Sequence, residues 1–204
     1  MASFDDAARK RIESAIAGVE ARTAGELVVR TVPACDSYND LRLLYAAALA
    51  LSLSAVAHLG WPTWPVTWLL WLQLGVGVLG WLVLGAAPLL RALVPRARIE
   101  RSVRRRAREA FLEHELFATR DRSGVLILIS ELEHHVVILG DSGIHARMPE
   151  GAWDAHVARI VQGFRSGNAA DGVCAVIAEL GEVLAKNFPA RADDTNELPD
   201  TMRG

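Results

Sequence analysis

Two uncharged apolar stretches follow one another inside an otherwise water-compatible chain, and they restrict its fold more than any other feature. The first, Leu43 to Leu59, has only hydroxyls, a phenol and His58 as polar groups; the second, Val66 to Leu90, has Gln73 as its one strongly polar side chain. A helix needs about 20 apolar residues, in a range of roughly 17–25, to cross a bilayer core, so the second spans comfortably and the first is at the short end. Between them, Gly60-Trp61-Pro62-Thr63-Trp64-Pro65 joins two helix-breaking prolines to two tryptophans suited to a headgroup interface. The pattern predicts a transmembrane helical hairpin over residues 41–95. A pair of buried core helices is the alternative, but no other segment is long or apolar enough to wrap both.

The flanks orient the hairpin. Arg42 precedes it, and Arg91, Arg96, Arg98, Arg101, Arg104, Arg105, Arg106 and Arg108 follow, whereas the connecting loop is uncharged. Lys and Arg favour the cytoplasmic side, which predicts a multi-pass inner-membrane protein with its soluble domain in the cytoplasm and the tryptophan loop outside. Asp5, Asp6, Arg9, Lys10 and Arg11 stand where a signal peptide would carry its apolar core, so export of the part before Arg42 is not expected.

The formal net charge is only −2, so the arginine run stands out against a nearly balanced background. Beside a membrane helix such a run serves topology and contact with anionic lipid. Nucleic acid is not expected as a partner, because no aromatic platform or recognised motif accompanies the basic residues. Cys35 and Cys174 are the only cysteines, which in a reducing cytoplasm argues against a disulfide, and their separation makes no metal signature.

The remaining chain reads as one discontinuous domain, residues 1–40 and 96–189, followed by a disordered acidic tail over 190–204. Ser3 is placed as the N-cap of a first helix with Phe4, Ala8, Ile12, Ala15, Ile16 and Val19 on its buried face, stopped at Gly25. Glu26 to Val32 is a β-branched strand. A helix from Arg96 to about Phe117 carries Ile99, Val103, Ala107 and Phe111 on one side and Arg101, Arg104, Arg105 and Arg108 on the other, the latter predicted to lie along the membrane surface. Strands follow at Val125–Ser130 and at 134–139, with a turn at Gly140-Asp-Ser-Gly143, then helices bearing Trp153 to Phe164 and Val173 to Leu184. A crossover makes the first two strands parallel, and a short connection makes the third antiparallel. The fold class is α/β: a small α/β/α sandwich with a mixed sheet, interrupted by the hairpin.

The run Thr119-Arg-Asp-Arg-Ser-Gly-Val-Leu-Ile-Leu-Ile-Ser130, then Val136-Val-Ile-Leu-Gly-Asp-Ser-Gly-Ile144, Trp153, the break between Gly163 and Gly172, and the closing Asn187-Phe-Pro189 with Asn196-Glu-Leu-Pro-Asp200 resemble the TPM-domain family. That family is named after a thylakoid-lumen phosphatase, a photosystem II repair factor and a worm acetylcholine-receptor modulator, and its bacterial members include membrane-anchored forms. The resemblance implies an α/β/α sandwich. It also implies a divalent-cation site, calcium being one such ion, in loops at strand ends, where Asp36, Asp121 and Asp141 are the candidate ligands. Strand directions place Asp36 and Asp141 at opposite ends of the sheet, which counts against a three-aspartate cluster. Asp141, Ser142 and His145 share a loop where an acid, a hydroxyl and an imidazole could meet; His134 and His135, as strand neighbours, point apart.

No nucleophile-elbow, P-loop, zincin or cysteine-rich motif is present. The leading expectation is therefore a membrane-anchored adaptor for a membrane protein complex, with the bilayer and another membrane protein or a second copy as partners. Ala46, Ala50 and Ser54 form a small-residue seam on which such a partner, or the other limb of the hairpin, can pack. The rival is a metal-dependent phosphatase, implied by the resemblance alone.

Overall fold

The computed structural model describes residues 4–190, so the acidic tail expected over 190–204 lies, but for Ala190, outside the described residues. The elements run α1 Asp6–Glu20, β1 Leu27–Val32, α2 Asn39–Gly60, α3 Val66–Val83, α4 Ala87–Leu93, α5 Arg96–Glu113, a short 3-10 turn at Leu116–Ala118, β2 Val125–Ser130, β3 His135–Gly140, α6 Ser142–His145, α7 Ala152–Arg165 and α8 Ala169–Asn187. The described residues form two compact units, one of residues 4–35 with 100–190 and one of residues 36–99, with the boundary inside α5.

In the first unit the sheet order is β1-β2-β3. β1 and β2 are parallel, Leu27 opposite Val125 and Val32 opposite Ser130, and β3 is antiparallel to β2, Ser130 opposite His135. This is the mixed sheet expected from the strand order. Leu27, Val29, Val125, Ile127, Ile129, Val136 and Ile138 point to one face, where Ile12, Ile16, Ile160, Val176, Ile177 and Leu180 from α1, α7 and α8 close over them. On the other face Arg30 reaches Glu113 and His114 at the end of α5, while Leu126, Leu128 and the α5 residues Val103, Ala107 and Ala110 are fully buried. Covering both faces explains why β2 is an unbroken apolar run. Each fully buried Ile, Leu or Val contributes about 1.5–3 kcal/mol relative to exposure.

Several boundaries differ from the sequence reading, each for a local reason. Asp5 caps α1, its Oδ1 accepting the Ala8 N–H at 2.7 Å, while Ser3, expected in that role, lies outside the described residues. The helix stops at Glu20 instead of Gly25, because the next residues bond elsewhere: Glu20 accepts from the Leu27 N–H and the Ala24 N–H donates to the Phe188 carbonyl. Gly25 lies close against α8, where a Cβ would require the Leu184 side chain to shift. His134 is in a left-handed turn at φ 51° and is not a strand neighbour of His135. The short helix α6 follows from Asp141, whose side chain caps it.

The second unit is inside out. Only 22% of the α2 span and 6% of the α3 span are buried, while Leu43, Leu51, Leu59, Trp68, Trp71, Leu79 and many others are exposed. Two helices long and apolar enough to cross a membrane thus pack on each other with their larger side chains outward. The small-residue seam is used within the hairpin: Ala46, Ala50 and Ser54 are buried, and Gly80 of α3 stands where a Cβ would lie 3.5 Å from the Ala46 Cα. Trp61 and Trp64 stack in the connecting turn, centroids 5.6 Å apart. The second apolar stretch is two helices, not one, because the chain turns at Leu84–Ala86 before α4, which carries Pro88 in its first turn.

Candidate functional site at the sheet ends and the hairpin base

At the N-terminal end of β2 the loop holding Asp121 meets the turn that follows β3. The Asp141 N–H donates to the Gly124 carbonyl at 2.9 Å and the Gly143 N–H to the Arg122 carbonyl at 3.0 Å. A Cβ at Gly143 would collide with the Asp121 carbonyl oxygen and stand 2.7 Å from that of Arg122, so a glycine permits the approach. Asp141 is buried. Its Oδ1 accepts from the Ser142 N–H at 2.6 Å and the Ser142 hydroxyl at 3.2 Å, and its Oδ2 lies 3.0 Å from Arg122 Nε in an ion pair without hydrogen-bond alignment. The acid and hydroxyl of this loop therefore meet, whereas His145 is exposed and joins them only by its backbone N–H on the Asp141 carbonyl.

The C-terminal end of β1 and β2 holds a cluster that sequence reasoning did not single out. Glu133 is buried, its Oε1 accepting the Cys35 N–H at 2.9 Å and its Oε2 the Ser130 hydroxyl. Burial pushes the Cys35 thiol up to about 11, so it is not a nucleophile near neutrality. The arrangement ties the strand exits to the turn between β2 and β3. Glu133 carried no distinguishing signal, since its acidic turn neighbour Glu131 is only half-buried.

Asp36 belongs to the second unit. There it pairs with Arg98, Oδ2 to Nη2 at 3.1 Å, and Arg98 also bonds both oxygens of Asp40 in the first turn of α2. Partial burial disfavours the Asp36 carboxylate, but bonds from Arg98 and the Tyr38 N–H outweigh it and hold its pKa below the ordinary value. Arg98 is thus a tie at the hairpin base; the sequence reading counted it only as a topological charge.

Two of the three predicted metal ligands, Asp141 and Asp36, are held in these contacts. Asp141 has one oxygen on a helix N-terminus and the other beside a guanidinium, Asp36 is neutralised by Arg98, and no group of three or more His, Cys, Asp or Glu gathers among the described residues. Calcium takes 6–8 oxygens, so these side chains do not supply a cage for it as they stand.

Along α5, Arg101, Arg104, Arg105 and Arg108 are exposed while Val103, Ala107 and Ala110 are buried, as the spacing predicts. Arg105 pairs with Glu109 at 3.8 Å, and Arg104 and Arg108 form no ion pair among the described residues. Leu112, one turn beyond Arg108, is also exposed. Arg106 is turned away from this row and bonds Glu113 at 2.8 Å.

Residues 92–183 match the TPM domain family. This chain carries a TPM domain. The match begins at the end of α4 and leaves out α1 and β1, although β1 completes the sheet on β2. A search of curated proteins found no matching relative. Among solved structures, the TPM-domain chain is similar to the BA42 protein from the psychrophilic bacterium Bizionia argentinensis, determined by NMR, with a TM-score of 0.61 and 22% identity over 100% of this chain and 97% of that one. At that identity the likeness concerns fold alone.

Proposed function

We propose that this protein is a membrane-anchored accessory factor: a TPM domain held at the inner face of a bacterial inner membrane by a helical hairpin, and acting as an adaptor for a membrane protein complex. The observation that carries the reading is the inside-out second unit, whose apolar side chains face outward along two helices of spanning length. Exposing so much apolar surface to water is strongly unfavourable, and a bilayer removes that cost. Both ends of the hairpin are basic and its loop is not, which favours a cytoplasmic TPM domain. The row Arg101, Arg104, Arg105, Arg108 then serves as a contact for anionic headgroups, with exposed Leu112 beside it.

The competing reading, a metal-dependent phosphatase, needs carboxylates free to hold an ion, and Asp36 and Asp141 are already engaged. Purification of the full chain in mild detergent, with and without Asp121→Ala and Asp141→Ala, separates the two. A stoichiometric partner retained by both forms is the expected result. Divalent-ion-dependent phosphate release from a generic phosphomonoester, abolished by the substitutions, would replace the adaptor with the enzyme.

A further inference from the structure

The TPM resemblance implies a divalent cation in the loops at the strand ends, and at Asp141 the chain meets that expectation with a cation of its own. The Asp141 side chain is only 6% exposed, and its Oδ2 is closed to solvent without an aligned hydrogen bond. A buried carboxylate oxygen in that state calls for a positive charge beside it. Arg122 supplies one, with Nε 3.0 Å from Oδ2. The guanidinium is also held from a second side, where Nη1 donates to the Phe117 carbonyl at 2.9 Å. Its backbone is fixed as well: the Arg122 N–H donates to the Thr119 carbonyl at 3.1 Å, and the Gly143 N–H donates to the Arg122 carbonyl at 3.0 Å. Arg122 reaches this place from a left-handed backbone position, φ 55°, which long side chains rarely adopt.

A guanidinium and a hard divalent ion compete for the same kind of oxygen. Calcium takes carboxylate and carbonyl oxygens at about 2.3–2.6 Å, and magnesium takes them closer still. Asp141 Oδ2 and the Phe117 carbonyl are oxygens of that class, and one guanidinium engages both. An ion coordinated to Oδ2 would face the Arg122 charge at close range inside the fold, where repulsion is screened less than in water, so the two cations exclude each other.

We propose that Arg122 is a built-in counter-ion that takes the place of a divalent ion at Asp141. The wild-type loop pair then takes up neither calcium nor magnesium, and removing the guanidinium opens a site for a hard divalent cation on Asp141 Oδ2 and the Phe117 carbonyl, with water completing its shell. The inference stands apart from the membrane and adaptor readings, since it concerns the counter-ion of this loop alone and its test involves neither bilayer partner nor phosphate ester.

The test uses the full chain in mild detergent, stripped with EDTA and then given calcium or magnesium, as wild type, Arg122→Gly and Arg122→Gly with Asp141→Asn. Glycine accepts the left-handed backbone, so Arg122→Gly removes the guanidinium without adding strain. Thermal unfolding of wild type is expected to be the same in EDTA and in either ion. Arg122→Gly should unfold earlier in EDTA and regain about 5 °C at an ion concentration about tenfold above the Kd of the opened site. Calorimetric titration should find one calcium bound per Arg122→Gly chain, and none by wild type or by the double variant. Calcium bound by wild type and lost on Asp141→Asn overturns the proposal. So does an Arg122→Gly chain, folded or not, that neither ion stabilises or binds, and so does binding that survives in the double variant.

Discussion

Arg42, in the first turn of α2, lies over the ring of Trp81 in the last turn of α3, with Cζ 4.1 Å from the centroid, while its Nη2 donates to the Trp81 carbonyl oxygen at 3.0 Å. One side chain therefore satisfies a helix C-terminal carbonyl and a cation–π contact at the hairpin base. Gly85 makes room for it, since a Cβ there would stand 2.6 Å from Nη2. Arg42→Leu should cost the hairpin about 1–3 kcal/mol, and Arg42→Lys should recover only part, because an ammonium cannot both stack and fork. Unfolding of the reconstituted chain by SDS titration measures this, and an Arg42→Leu variant as resistant as wild type would deny the contact any weight.

Gly143→Ala should destabilise the TPM domain by about 1–3 kcal/mol, the usual range for forcing extra atoms into a closed site. The clash is with the backbone carbonyls of Asp121 and Arg122, which cannot rotate aside as a side chain would. Thermal unfolding of the domain checks it. If the two loops did not meet, the substitution would be neutral.

Acid should loosen the contact between β1 and the end of α5. Hydrogen bonding from Arg106, opposed by slight burial and joined by Arg30, holds Glu113 below its ordinary pKa. The folded state thus binds that proton less readily than the unfolded state. Its contribution is fully present above the unfolded value of about 4.3 and is lost as pH falls below it, through the depressed folded value. Glu113 is half exposed, so screening limits the effect to at most about 1 kcal/mol. Glu113→Gln should flatten this acid limb in chemical unfolding between pH 6 and about 3, and an unchanged limb would place the acid sensitivity elsewhere.

The arginine row of α5 should bind anionic lipid in a salt-sensitive way. A chain in which residues 41–95 are replaced by a Gly/Ser linker is expected to sediment with vesicles containing phosphatidylglycerol. Replacing Arg101, Arg104, Arg105 and Arg108 with Gln should weaken that binding by about 1 kcal/mol per residue at low salt. Equal sedimentation before and after would leave these arginines with only their role in topology.

Much of this arrangement was legible before any coordinates. Short β-branched and apolar runs located all three strands and the 3.6-residue period the long helices, because burying β2 on both faces demands a continuous apolar run and burying α8 on one face demands Val173, Val176, Ile177, Leu180 and Leu184. Pairing partners were less visible. Nothing in the order of residues distinguishes Arg98, which ties Asp36 and Asp40, from Arg104, which has no ion pair among the described residues, since the difference is made by residues some 60 positions away in the chain. The Glu133 cluster was hidden for the same reason: its partner Cys35 is brought to it only by the parallel pairing of β1 on β2. The break between α3 and α4 was missed because an uninterrupted apolar run conceals a turn that Gly85 and Pro88 together permit.

The central claim is that a TPM domain sits on one side of a membrane and the tryptophan turn on the other. Labelling with a membrane-impermeant maleimide tests it most directly, comparing Thr63→Cys in the turn with Arg120→Cys in the exposed loop before β2, each in intact cells and after lysis. The account predicts that Thr63→Cys is labelled in intact cells and Arg120→Cys only after lysis. Labelling of Arg120→Cys from outside, or of both positions only after lysis, would contradict it.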